Sequence, residues 1–350
     1  GRTQPVDYRH LGAEELGSVY ESLLELIPRV DLADMTFRLE ATVGNDRKTT
    51  GSYYTPPALV SALLDTALDP LLDHAVKNAD DPEDAERRLL ALTVCDPASG
   101  SGGFLVAAAR RIARRVAQVR SGEDEPTPEQ VQHALREVIG RCIYGVDLND
   151  LAAELAKVSL WLEALEPGKP LGFLDARIRV GNTLIGTTPA LLADGIPDVA
   201  FKEIEGDDKR YASALRKQNK AERTGPDTLF AAADTGVTAI DLLTARQVIL
   251  APTDDIDAAR AQAARWLTYE ASEPVRRARL HADAWAAAFV WPLVRDAAPP
   301  VTHDVLRRIA KDPTDPALAD TVDEVVRLAH DYRFFHWQLE FPEIFGDPNA

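Results

Sequence analysis

Apolar positions in the first half of the chain change period several times, and each change marks an element. In "EELGSVYESLLELI", Leu16, Val19, Tyr20, Leu23, Leu24 and Ile27 fall at helical spacing and predict an amphipathic helix ended by Pro28. "TFRLEAT" alternates as a strand does, and "GNDRK" reads as a turn. In "GSYYTPPALVSALLDTALDPLL", Thr55 is placed to cap a helix with proline in its first turn. After the acidic loop "KNADDPEDAERR" the pattern alternates between short apolar runs and helical ones. "ALTVC" predicts a buried strand, "GFLVAAARRIARRVAQV" a helix, and "EQVQHALREVI" a short helix beyond the linker "SGEDEPTP". "CIYGVDL" predicts a second strand, "DLAAELAKVSLWLEAL" a helix, and "ARIRVGNTLIG" a third strand leaving through glycine. Such alternation defines an α/β fold with a parallel sheet and right-handed crossovers.

From about Pro189 the pattern changes. Residues 201–330 read as helices without a strand, separated by loops such as "APTDDID" and "DAAPPVTHD". Trp266, Trp285, Trp291 and Trp337 are expected as core anchors. "KRYASALRKQNKAER" carries Lys209, Arg210, Arg216, Lys217, Lys220 and Arg223. That run is either a solvated helix face or a local phosphate-contacting one. Arg110, Arg111, Arg114, Arg115 and Arg120 are expected on the outer face of the helix after the first strand.

Composition narrows the choices. An apolar content of 45% and a charged content of 27% over 350 residues suit a globular protein of one large or two ordinary domains. A net charge of −17 argues against a surface that binds nucleic acid everywhere, though it leaves room for a local basic face. The two cysteines, Cys95 and Cys142, sit in apolar segments and read as buried reduced thiols, and the seven histidines show no metal-ligand spacing, so no metal site is proposed. No apolar run reaches membrane-spanning length and no signal peptide opens the chain, so a cytoplasmic protein without a membrane partner is expected. The sequence begins "GRTQPVDYRH" without methionine, and it is expected to be a piece of something longer.

The candidate chemistry lies in "CDPASGSGGFL", Cys95 to Leu105. A triphosphate-binding loop needs a lysine after its last glycine, and Gly103 is followed by Phe104. The dinucleotide fingerprint also fails, because the third glycine position after Gly100 and Gly102 is Leu105. Glycines here would also serve a tight strand–helix turn by themselves. The ligand that remains is S-adenosyl-L-methionine, which has an amino-acid tail and a ribose but no phosphate. Asp96 is placed to help hold its ammonium, and Asp147, ending the second strand in "YGVDLND", to accept from both ribose hydroxyls. Both acids fall at the carboxyl edge of the expected sheet, where open α/β sheets place ligands.

The series "GSYYTPP", "DPASGSGGFL", "GVDLND" and "IRVGNTLIG" resembles the gamma arrangement of DNA amino-methyltransferases, mainly N6-adenine enzymes of restriction–modification and phage defence. "LGSVYESLLEL" and "FFHWQLEFPEIF" resemble the long combined restriction–modification and BREX- or DISARM-type methylases. The resemblance covers roughly residues 11–186 and 330–345. It implies a partial Rossmann-like class I methyltransferase sheet with an N-terminal helical segment and a large α-helical insertion. The implied organisation is a helix and hairpin in residues 1–50, a cofactor-binding core in 51–190, a helical insertion in 191–330 and a lead-in to a catalytic strand in 331–350. Tyr54 and Thr55 would close over the methionine part of the cofactor, Asn182 would meet its adenine, and Phe104 and Leu184 would supply apolar walls. Ala98, Ser99, Gly100, Gly102 and Leu148 complete the implied cofactor set.

In these families an Asn/Asp-Pro-Pro-aromatic motif performs the methyl transfer, and this sequence holds none. "AAPPVT" lacks the flanking residues and "GDPNA" is a turn. In the resembling families the catalytic motif follows shortly after "FHW…LEFPE(I/V)F", so the chain is expected to stop before it and to be inactive alone. No catalytic residue is named. The implied partners are double-stranded DNA, mainly through regions outside this chain, and other defence-system subunits. Two rival readings stay open: a methyltransferase acting on RNA or a small molecule, and a methylase-like scaffold or sensor without catalysis.

Overall fold

A computed structural model describes residues 26–31, 36–41, 55–170, 172–225, 239–251, 253 and 255–346. The expected helix before Leu26, and Tyr54, lie outside the described residues. Contacts divide the chain into two units, Gly1–Val180 with Pro252–Ala259 and Gly181–Ala251 with Arg260–Ala350. The division falls inside the motif "VGNTLIG".

In the first unit, β1 (Leu26–Asp31) pairs antiparallel with β2 (Thr36–Ala41). Leu26 and Ile27 were expected in a helix and are strand instead. Their apolar spacing fits either period over so short a run, and pairing with β2 decides it. Helices α1 (Pro57–Ala67), α2 (Asp69–Lys77) and α3 (Pro82–Leu90) follow. The N-cap of α1 is Pro56 without a side-chain cap, so the capping role expected of Thr55 is not realised.

The sheet is three parallel strands in the order β3 (Val94–Asp96), β4 (Ile143–Asp147) and β5 (Ile178–Val180). Asp96 registers with Gly145, and Asp147 with Val180. Crossovers are made by α4 (Gly103–Ser121) with α5 (Pro128–Cys142), and by α6 (Asp150–Glu163). A short connection can join antiparallel strands, but parallel ones need such a crossover. On α4, Leu105, Ala108, Ala109, Ile112, Ala113 and Val116 form one stripe at helical spacing, all fully buried. Alanine in three of these positions lets the helix lie close to its neighbours. The α4 arginines line its outer face and are all paired: Arg110 with Glu163, Arg111 with Asp65 and Asp69, Arg114 with Glu125, Arg115 with Asp73, and Arg120 with Glu86 and Glu137. Cys142 is buried and Cys95 half-buried, and burial pushes both thiols up to about 12, so both stay protonated at neutral pH.

Among the described residues the second unit is helical apart from an isolated bridge. Its helices are α7 (Pro189–Asp194), α8 (Lys209–Thr224), α9 (Ala239–Ile249), α10 (Ile256–Glu270, whose first turn belongs to the first unit), α11 (Glu273–Ala287), α12 (His303–Lys311), α13 (Ala319–Tyr332), α14 (Trp337–Glu340) and α15 (Pro342–Phe345). Trp285 and Trp291 sit in its core, and each indole N–H finds a backbone carbonyl, Gly195 at 3.0 Å and Ala298 at 3.1 Å. Arg246 is 1% exposed, donates both ends of its fork to Glu343 at 2.9 Å and lies over the Trp266 ring. A buried guanidinium is tolerable in this geometry because the carboxylate matches it bidentately. No helix among the described residues is long and apolar enough to cross a membrane.

Candidate functional site

Each strand of the sheet ends in a turn that exposes its carboxyl edge, and two carboxylates stand there. The Asp96 Oδ1 accepts from the Ala98 amide at 3.0 Å, which starts the turn. Ser99 then donates its amide to the Val146 carbonyl at 2.9 Å, so the loop stays stitched to β4. Gly100 adopts φ 52° and Gly102 φ 91°, the left-handed region where glycine alone is comfortable. A Cβ on Gly102 would stand 3.2 Å from the Ala156 Cα, so α4 starts hard against α6.

Asp147 organises the turn from the neighbouring strand. Its Oδ2 accepts from the Gly100 amide at 2.8 Å and its Oδ1 from the Asn149 amide at 2.8 Å. A carboxylate offers about four acceptor sites, so both oxygens keep room for further donors. Burial, with the Asp147 charge adding to it, lifts the Asp96 carboxyl above the ordinary range against the opposing pull of the Ala98 amide. Two acids held at one sheet edge, neither in an ion pair among the described residues, suit a ligand that brings hydroxyls and positive charge.

Three features of this loop are open. A Cβ built on Gly100 or on Gly103 would meet nothing within 4 Å. Gly103 also has ordinary helical backbone, so neither packing nor conformation requires glycine there. The Ser99 hydroxyl is buried without a hydrogen-bond partner. Leu148 is exposed, Ala98 is exposed, and Phe104 is half-buried against the core of the first unit. Thr55 is half-buried, and no hydrogen bond joins it to the loop among the described residues.

In the second unit, "GNTLIG" and "RFFHW" lie together although about 150 residues separate them in sequence. The Asn182 amide donates to the Arg333 carbonyl at 2.6 Å, and Asn182 bridges Phe334 in parallel. Phe335 donates its amide to the Ile185 carbonyl at 2.8 Å. The Thr187 amide donates to His336 Nδ1 at 3.2 Å, which places the ring proton on Nε2, facing Asp283 Oδ1 at 2.9 Å. Space for this clasp comes from Gly181 and Gly186, whose Cβ atoms would fall 2.4 Å from Phe335 Cδ2 and 2.0 Å from the Phe335 carbonyl oxygen. The Asn182 side chain accepts from the Leu184 amide at 3.2 Å, and Leu184 is 92% exposed. Sequence reasoning missed Phe335, His336 and Asp283. The signal available was the pairing of two motifs already singled out, "VGNTLIG" and "FFHW".

Comparison with known proteins adds two findings. Residues 72–168 match the family described as the MmeI DNA-methyltransferase domain. A protein of Methanocaldococcus jannaschii named as a type II restriction enzyme and methyltransferase is 26% identical over 216 residues, which is 50% of this chain and 17% of that protein. The chain thus spans about a sixth of the relative's length. No solved structure matches significantly.

Proposed function

We propose that the chain is the cofactor-binding part of an S-adenosyl-L-methionine-dependent DNA methyltransferase of restriction–modification or phage defence, acting on adenine N6. The first unit is then part of a Rossmann-like class I methyltransferase sheet, residues 191–330 a helical insertion and 331–350 a lead-in to a catalytic strand. The observation that carries the reading is the sheet edge itself: Asp96 and Asp147 beside a loop whose Gly100 and Gly103 face open space. The match over residues 72–168 covers that edge, and the name of the archaeal relative supports the restriction–modification setting.

The donor set fits the cofactor. Bound S-adenosylmethionine supplies an electrophilic methyl group on a sulfonium. Asp147 would accept from the ribose hydroxyls through the acceptor sites that Gly100 and Asn149 leave. Asp96 would face the ammonium, and the unpartnered Ser99 hydroxyl and the open face at Gly103 would meet the amino-acid tail. The resemblance assigns Asn182 to the adenine and Phe104, Leu148 and Leu184 to the same cofactor set. Tyr54, Thr55 and Ala98 complete the set. A target base must leave the duplex stack before its exocyclic amine can be methylated, and the positioning of that amine belongs to a catalytic motif this chain does not hold.

Calorimetric titration of the folded chain with S-adenosylmethionine tests the reading. Asp147→Ala removes the ribose acceptor and should weaken binding at least ~100-fold, about the worth of a lost charge-assisted pair. Unchanged affinity in that variant would overturn the assignment.

A further inference from the structure

We propose that one face of α8 is a contact surface for the sugar–phosphate backbone of duplex DNA; the choice of partner rests on the function proposed above. The helix carries Lys209, Arg210, Arg216, Lys217 and Lys220, all exposed. Among the described residues none of these five side chains makes an ion pair or hydrogen bond. Lys209, Arg216 and Lys220 are spaced i, i+7, i+11 and share one side of the helix, with Ser213 between them. Lys217 and Arg210 widen the stripe along the same flank. It runs for roughly 16 Å at about 1.5 Å of rise per residue, the span of about five base-pair steps.

The acids of the neighbourhood are turned elsewhere. Glu222 lies on the other side of the helix, bonded to Gln218 and to the Asp304 amide. Asp208 caps the helix by accepting from the Arg210 and Tyr211 amides and faces Arg295 at 3.6 Å. Asp207 holds the Leu293 and Ile204 amides, and Asp198 holds Asn219 and lies 3.9 Å from Arg223. Glu203 and Glu205 are exposed in the loop before the helix, beyond its N-terminal end.

A row of unpaired cations on a chain of net charge −17 is not explained by solubility, which the surplus of acids already provides. The arginines of α4 show the ordinary outcome, each one neutralised by a carboxylate. Leaving five cations uncompensated on one face matches a partner that brings regularly spaced anions, and the phosphates of a duplex do so irrespective of sequence. The chain as a whole carries −17, so the surface outside the stripe is more negative still and would then confine DNA to this face.

The test is fluorescence anisotropy of a short labelled duplex with the full chain, titrated between about 50 and 200 mM salt. The variant Lys209→Gln/Arg216→Gln/Lys220→Gln should lower the slope of log K against log salt by about 3, one per phosphate contact. Its affinity at ~100 mM salt should fall at least ~10-fold. Arg110→Gln/Arg114→Gln on α4 should leave the slope unchanged. An unchanged slope in the triple variant overturns the proposal, and so does an equal fall in the α4 control. Dissociation of a self-associated form by the triple variant, with the DNA slope intact, also overturns it in favour of a protein partner. Cofactor affinity, read by calorimetry on the same preparations, separates the two claims: its absence in the wild type counts against the function proposed above and leaves the salt slope to decide the stripe.

Discussion

The two glycine motifs, "DPASGSGGF" and "VGNTLIG", look alike in sequence and differ in what surrounds them. At Gly181 and Gly186 the space of a side chain is already taken by Phe335, whose ring and backbone lie 2.4 Å and 2.0 Å from where a Cβ would stand. At Gly100 and Gly103 that space is empty to 4 Å. Gly102 falls between the two cases, because its φ of 91° and the Ala156 backbone at 3.2 Å account for it by conformation and packing. One motif is thus consumed by the protein's own packing, while the other leaves backbone exposed at a sheet edge. Gly100 is accounted for by its φ of 52°, so Gly103, which neither packing nor conformation requires, is the glycine that points to a ligand.

The largest expected effect breaks the comparison at its packed side. Gly186→Ala should destabilise the protein by about 3 kcal/mol or more, the range of severe overpacking. The contact is with the Phe335 backbone, which cannot rotate away because its amide is already bonded to the Ile185 carbonyl. Gly181→Ala meets the Phe335 ring and should cost less. Scanning calorimetry reads both, and a melting temperature unmoved by Gly186→Ala would show that the clasp is not tight.

Much of the first unit was legible because its signals are local. Val94–Asp96, Ile143–Asp147 and Ile178–Val180 are apolar runs ended by Asp or Gly, and the two acids at the edge follow from where the first two runs stop. The helix placement in the second unit was legible for the same reason, since "IDAARAQAARWLTYE" and "DEVVRLAHDY" keep helical period. What escaped depends on partners far away in sequence. Nothing local in the sequence marks Arg246 as buried, and its enclosure depends on Glu343 and Trp266. Nothing local in the sequence shows that Phe335 takes the side-chain space at Gly181 and Gly186, and Leu26 and Ile27 read as helix until β2 pairs with them. Periodicity holds no information about which distant segment will arrive.

A smaller effect sharpens the open side. Gly103→Ala has no steric obstacle and replaces glycine at the first position of α4, so it should hold or raise stability, by up to about 1 kcal/mol. If the backbone there is approached by a ligand, the same substitution should weaken S-adenosylmethionine binding about 10-fold, roughly 1.4 kcal/mol. Stability and binding would then move in opposite directions at Gly103 and not at Gly186. Calorimetric affinity equal to wild type would mean that nothing comes close to Gly103 when the cofactor binds.

The smallest effect concerns the acid beside the open glycines. Burial and the Asp147 charge raise the Asp96 carboxyl in the folded protein. Its favourable contribution to folding is therefore complete below the ordinary carboxylate value and lost as pH rises through the raised one, so at neutral pH the ionised Asp96 weakens the fold. Asp96→Asn keeps an acceptor for the Ala98 amide and removes the charge, and should stabilise the protein at pH 7 by roughly 0.5–1 kcal/mol. That gain should vanish below about pH 4, where the wild-type carboxyl is protonated in both states. Binding should run the other way: wild-type affinity for S-adenosylmethionine falls as pH drops through the raised value, while the variant binds more weakly and shows no such step. Melting curves and titrations across this range check both limbs. A variant less stable than wild type at pH 7 would remove the argument that a buried carboxylate is kept here against the interest of the fold, which is the reason to assign it to a cationic ligand at all.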